Sequence, residues 1–222
     1  TAEMALDALD NREEFGFNKE DILVVYMGRI APEKNLEFLL QAFAGVSRAV
    51  PNTKLLIVGG GQKEHEEGIK DFANEIGLDD CVKFTGAVAY AKLPSYLSMC
   101  DIFATASVTE VHPFSVIEGM ATGLPILGID SPGISDSISD GETGLLSADD
   151  LASYTAKLTM LCLNKDLQKK MGAAAQQASR QFSIENTTTI MLGHYNRLVS
   201  NTKPVKPSIE ERLRSVLKEF LV

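Results

Sequence analysis

The sequence predicts an α/β protein on a parallel sheet, and three observations carry that prediction. Short apolar runs recur along the chain, as expected of strands buried on both faces. Segments with helical apolar spacing alternate with them. The loops at the carboxyl ends of the strands collect glycine, proline and charge, and ligands of such sheets bind there. Strands alternating with helices place helices on both faces of a parallel sheet.

In order, residues 1–20 are acidic and polar, with Asp7, Asp10, Glu13, Glu14 and Glu20, and read as a lead-in or linker. The first strand is residues 22–27, ILVVYM. A helix is expected over residues 35–49, with Leu36, Leu39, Leu40, Phe43 and Val46 on one stripe. Residues 55–58 form the second strand, closed by Gly59, Gly60 and Gly61. A polar helix over 64–76 follows, with Gly77 as its C-cap. Then come a strand at 82–85, a short helix at 93–99 and a strand at 102–105. The helix at 113–122 has Pro113 in first position, where a missing N–H costs nothing, and stops at Gly123. Strands at 126–129 and 144–146 complete the sheet. Helices at 151–163, 166–182 and 184–199 follow. A linker at 202–207 leads to a last amphipathic helix from Ser208, opened by a capping-box pattern. The expected domain therefore spans 21–200, with 201–222 as linker and helix.

Composition narrows the function. Of 222 residues, 45% are hydrophobic and 23% charged, ordinary for a globular domain. No apolar run approaches the roughly 20 residues needed to span a bilayer, and the N-terminus lacks a signal-peptide pattern. A net charge of −9 argues against a nucleic-acid partner and lends no support to an anionic membrane surface as partner of this segment. Three cysteines, far apart and without a Cys-x-x-Cys pair, suggest neither zinc nor disulfides. A reducing, cytoplasmic location is expected, the inner membrane face included.

The segment 109–125, TEVHPFSVIEGMATGLP, is the most informative. Glu110 lies in the loop before the helix, and Glu118 lies one to two turns inside it. The helix start offers free N–H groups and the positive dipole end, which attract phosphate. Carboxylates on both sides of an anion site suit a ligand with hydroxyls on both sides of a phosphate, the shape of a nucleotide sugar. Arg29 and Lys34 bracket the loop after the first strand; together they suit a diphosphate, or else pair with Glu33 or Glu37 at the surface. The Gly59–61 triplet either cradles a nucleotide or makes a tight turn, and Glu64 stands where a dinucleotide fingerprint needs its third glycine. Backbone groups after Gly86 would meet a base edge, or form a plain turn. His112 is a candidate donor to sugar or phosphate. His65 and His194 have no matching partners, and no metal-ligand spacing occurs.

These segments, in their order, resemble the C-terminal, donor-binding domain of GT-B fold glycosyltransferases, specifically the retaining family 4. The resemblance runs over about residues 20–200 and rests on VYMGRIAPEKN (25–35), LIVGGG (56–61), VKFTG (82–86), CDIF (100–103), Glu110 through Pro125, and DGETGLL (140–146). It implies a Rossmann-like sheet forming the C-terminal half of a GT-B enzyme, with extra C-terminal helices. It implies that Gly28, Arg29 and Lys34 face the donor diphosphate and Glu118 the ribose diol. Glu110 would hold the donor sugar near its 3- and 4-hydroxyls, as the catalytic position. Phe114, Ser115 and their neighbours would turn backbone amides to sugar and phosphate, and Val88 would lie at the base. The family commonly has Phe-Gly where this chain has His112 and Pro113, and proline lacks the N–H that glycine would offer.

The activity implied is retaining transfer of a hexose from a nucleoside diphosphate sugar, a UDP-sugar by family preference, to an acceptor hydroxyl. No cofactor or metal is expected. The resemblance implies an N-terminal acceptor-binding domain as partner, this chain being expected to be a domain fragment or one half of a two-part enzyme; the helix matching 184–199 crosses toward that domain in the family, so its apolar face is expected to be partly uncovered. Membrane contact is expected only through the rest of the protein. Two alternatives stay open: a nucleotide-sugar-binding module without catalysis of its own, and a GT-B fold sugar-nucleotide epimerase.

Overall fold

The computed structural model describes residues 12–201, which fall into two units divided after Arg180. From residue 22 onward the described residues of the first unit run β1 (Ile22–Met27), α1 (Leu36–Ala49), β2 (Thr53–Val58), α2 (Lys63–Glu75), β3 (Val82–Phe84), α3 (Leu93–Ser98), β4 (Ile102–Thr105), α4 (Phe114–Ala121), β5 (Ile126–Ile129), β6 (Gly144–Ser147), α5 (Leu151–Leu163) and α6 (Lys165–Ser179). Short 3-10 turns, Pro32–Lys34 and Tyr90–Lys92, precede α1 and α3.

The sheet is wholly parallel, in the order β3-β2-β1-β4-β5-β6. This is the Rossmann-like order, and it reverses between β1 and β4. Ligands of such sheets bind outside the carboxyl ends of the strands at that switch point. The register runs from Ile22↔Thr53 to Met27↔Val58 between β1 and β2. Between β1 and β4, Val24 pairs with Ile102 and Val25 with Phe103.

β1 shows why its run is apolar throughout. Ile22, Val24 and Tyr26 enter one core with Leu39, Leu40 and Phe43 of α1 and Leu158 of α5. Leu23, Val25 and Met27 enter the other with Val116 and Met120 of α4 and Ala175 of α6. Each fully buried Leu, Val or Phe contributes about 1.5–3 kcal/mol relative to exposure.

Element types agree with the sequence pattern, and most ends fall within a residue or two of expectation. Three points stand beside the expected elements. Pro113 is the residue before α4 rather than its first helical residue. Within residues 12–20, expected as a lead-in or linker, Phe17 is only 4% exposed and packs in the second core. Arg12 also donates to Met99 O at 2.7 Å and pairs with Asp101 at 3.1 Å. The acidic residues around these positions mask two ring anchors, Phe15 and Phe17, which stack at 6.0 Å. Finally, the first compact unit stops at Arg180. The second unit contains α7 (Ile184–Asn201), whose Ile184, Ile190, Tyr195 and Leu198 are exposed. The expected helix after Ser208 lies outside the described residues.

Candidate functional site

The loops after β1 and β4 flank the switch point and are joined across it. Lys34 Nζ lies 2.5 Å from Glu110 Oε1, both side chains under 20% exposed. Local backbone sets this up. Lys34 closes the Pro32–Lys34 turn, and Asn35 turns the chain into α1 with φ 53°. That left-handed conformation is one asparagine tolerates better than most residues. Ser107 Oγ donates to Glu33 O at 3.2 Å, tying one loop to the other. Behind Glu110, a Cβ on Gly133 would stand 2.3 Å from Glu110 O, so only glycine lets the 131–135 loop support it.

The glycine triplet acts through close approach. A Cβ on Gly59 would meet Gly28 O at 2.0 Å, and one on Gly61 would meet Ile30 O at 2.0 Å. Ile30 N–H donates to Gly60 O at 2.9 Å, and Gly59 N–H to Gly86 O at 3.2 Å. Gly61 N–H donates to Glu66 Oε2 at 3.2 Å. Two of the three glycine amides are thus already bonded, and the triplet seams together the loops after β1, β2 and β3. Above the seam is a cavity of about 460 Å³ lined by Gly28, Arg29, Gly60, Ala87 and Val88 among others.

Arg29 and Lys34 have different partners. Arg29 pairs at 2.9 Å with Glu33 on the exposed side of the loop and also lines the cavity beside Val88, while Lys34 takes Glu110. Tyr26 lies beneath this loop, its hydroxyl donating to Arg29 O at 2.8 Å. Burial, then the charges of Glu110 and Glu33, hold that phenol well above its ordinary range. Sequence reasoning missed Tyr26; the signal was a lone hydroxyl in an otherwise apolar strand.

The start of α4 is shaped by Pro113. With φ −78° and ψ 85° it forms an inverse γ-turn, and Phe114 N–H donates back to His112 O at 3.0 Å. Val116 and Ile117 N–H both go to Pro113 O, at 3.0 and 3.1 Å. Ser115 N–H alone in this turn has no acceptor among the described residues. The His112 ring stands edge-on to Phe114 at 5.0 Å, and Phe114 is 70% exposed. One turn further, Glu118 Oε1 accepts from Tyr90 Oη at 2.8 Å. That hydrogen bond, then the carboxylate's charge, raises the Tyr90 pKa.

The structure thus brings together Lys34 with Glu110, Gly28 and Arg29 with Val88, and His112 with Phe114. Glu118 meets Tyr90, a residue the sequence reading did not single out. No cluster of three His, Cys, Asp or Glu side chains able to hold a metal occurs among the described residues, and no described helix is long and apolar enough to cross a membrane.

A 3-2-1-4-5-6 parallel sheet with glycine-seamed loops and a cation–carboxylate pair at its switch point defines a Rossmann-like domain of the kind found in GT-B glycosyltransferases. The chain belongs to the family Glycosyl transferases group 1, whose model matches residues 7–178. It is 31% identical over 188 residues to the D-inositol 3-phosphate glycosyltransferase of Segniliparus rotundus, covering 83% of this chain and 42% of that protein. It is 31% identical over 165 residues to the GDP-mannose-dependent alpha-(1-6)-phosphatidylinositol monomannoside mannosyltransferase of Mycobacterium tuberculosis, covering 69% of this chain and 42% of that protein. The fold superimposes on sucrose-phosphate synthase from Thermosynechococcus elongatus with a TM-score of 0.78 at 24% identity, over 87% of this chain and 49% of that one. It superimposes on Anabaena Alr3699/HepE in complex with UDP-glucose with a TM-score of 0.75 at 23% identity, over 87% and 52%. The chain spans somewhat under half the length of the curated relatives it matches.

Proposed function

We propose that this chain is the donor-binding half of a retaining glycosyltransferase, which moves a hexose from a nucleoside diphosphate sugar to an acceptor hydroxyl. The observation that carries this is the Lys34–Glu110 pair across the sheet's switch point, with Glu118 on the helix that follows. Lys34 and Arg29 face the diphosphate, Ser115 N–H at the positive end of α4 completes its anion site, and Glu118 takes the ribose diol. Val88 and the turn after Gly86 face the base. Glu110 holds the sugar hydroxyls.

In the reaction, the bond from the anomeric carbon to the diphosphate breaks, and a bond from the same face to the acceptor oxygen forms. The leaving phosphate takes the acceptor proton. Charge grows on the diphosphate as it departs, so Arg29, Lys34 and the helix start stabilise the transition state more than the ground state, with no metal required. A UDP-sugar is favoured; the GDP-mannose dependence of a relative makes GDP the comparison. Acceptor binding belongs to a second domain, a reading that the greater length of the relatives supports. The chain works in the cytoplasm, the inner membrane face included.

One observation favours a second reading, a nucleotide-sugar-binding module without catalysis. Pro113 has no N–H and Phe114 N–H is turned onto His112 O, so two amides that would otherwise face the donor sugar are withdrawn.

Calorimetric titration with UDP and with GDP tests the site. Binding of one and not the other identifies the base. Glu118→Ala should weaken that binding roughly 10- to 100-fold, the loss of two hydrogen bonds to a charged acceptor. Unchanged affinity would remove Glu118 from the ribose.

A further inference from the structure

We propose that Tyr90 is a positioning residue for nucleotide recognition: its hydroxyl holds the Glu118 carboxylate in the orientation that accepts a ribose diol. The inference rests on the reading of Glu118 above. Tyr90 opens the Tyr90–Lys92 turn, two residues beyond Val88, and its hydroxyl donates to Glu118 Oε1 at 2.8 Å, 28 residues further along the chain. Tyr90 and Glu118 together line a cavity of about 170 Å³, and Leu93 lines both this cavity and the larger one beside Val88. One short turn therefore carries both a residue facing the expected base and the group that orients the carboxylate for the sugar next to that base.

The chemistry favours positioning over competition. A carboxylate offers about four lone-pair sites, and Tyr90 occupies one. Oε2 and the remaining site on Oε1 stay open to two ribose hydroxyls. A glutamate on a helix surface that must be ordered by its ligand loses side-chain freedom on binding, which opposes affinity; ordering it beforehand removes that opposition. Tyr90 is 75% exposed, so the Glu118 hydrogen bond is the polar contact that fixes its hydroxyl. The phenol is protonated, and so donating, at neutral pH by its ordinary pKa of about 10, and the carboxylate raises that value further.

The test uses whichever of UDP and GDP binds, together with its 2′,3′-dideoxy form, titrated into the wild-type chain, Tyr90→Phe, Glu118→Ala and the double variant. Tyr90→Phe keeps the ring and removes only the hydroxyl. The expected result is a roughly three- to ten-fold loss for the ribose nucleotide, no change for the dideoxy form, and no further loss when Tyr90→Phe is added to Glu118→Ala. Equal losses for both nucleotides, tighter binding, unchanged ribose affinity, or additive losses in the double variant would each overturn the role of Tyr90. If Glu118→Ala keeps the preference for ribose over dideoxyribose, the ribose reading itself fails and this inference with it. Absence of binding by both nucleotides removes the donor site and the inference together.

Discussion

Lys34 and Glu110 show at the single-residue scale how far side-chain identity reaches. Both were legible in the sequence as candidates for a shared ligand, because a lysine and a glutamate stand in loops at the same sheet edge. Their bond to each other was not legible, since 76 residues separate them and only the β1–β4 adjacency brings the two loops together. The pair has a consequence for binding. While Glu110 neutralises Lys34, the lysine attracts a diphosphate less strongly, and an attraction of about 1 kcal/mol or more at such distances depends on what else shares the charge. Glu110→Gln should therefore tighten binding of the nucleoside diphosphate alone by roughly two- to ten-fold, while Lys34→Met should weaken it. Calorimetry on both variants checks this; unchanged affinity in both would put Lys34 outside the diphosphate site. Asp101 is a contrasting residue. Within a segment that carries the family resemblance, its Oδ2 accepts Leu23 N–H at 2.8 Å and Arg12 at 3.1 Å, which makes it a clamp between β4, β1 and the N-terminal turn rather than a ligand group.

The elements are where pattern reasoning worked and glycine reasoning did not suffice. Period-3.6 stripes and continuous apolar runs located the helices and strands because burial on one or two faces leaves that mark on the sequence. The 3-10 turns at 32–34 and 90–92 went unseen, being too short to carry a period. The Gly59–61 triplet was legible as special, yet the seam it makes rests on backbone contacts with Ile30 and Gly28 that no local pattern encodes. Gly61→Ala, placing a Cβ 2.0 Å from Ile30 O, should cost about 2 kcal/mol or more in unfolding free energy by forcing the loops after β1 and β2 apart. Gly68→Ala, within α2 and with nothing within 4 Å of its Cβ, should instead stabilise by about 0.5–1 kcal/mol. Urea unfolding of the two variants measures both; equal effects would dissolve the argument that close approach is what the triplet supplies.

Across the whole molecule the two cores bury ionisable groups in neutral form. Cys162 is pushed up to about 12 from 9.0, chiefly by burial. Burial likewise raises Cys100, Tyr26 and Tyr154, and the half-buried Cys81. A group whose folded pKa is raised binds its proton more tightly folded than unfolded. Its contribution is complete below the unfolded value and is lost as pH rises through the folded one. Stability should thus hold from neutral pH to the ordinary thiol value of 9.0 and fall above it. Urea unfolding from neutral pH into the alkaline range checks this, and a flat profile beyond pH 10 would contradict the burial of these groups. The same burial predicts that in native protein a thiol reagent at neutral pH meets Cys81 first, with Cys100 and Cys162 reacting only on unfolding.

The sequence by itself determined the class of sheet, the succession of elements and the loops at which ligand chemistry sits, because each leaves a periodic or compositional trace within some twenty residues. It also supplied the ordered motifs on which the family resemblance rests. Only the tertiary structure decided which distant side chains meet: Lys34 with Glu110 rather than with Glu37, Tyr90 with Glu118, and Phe17 with the second core. Those pairings depend on strand order, and strand order is set by how whole layers pack, a long-range energy that no short window of residues contains.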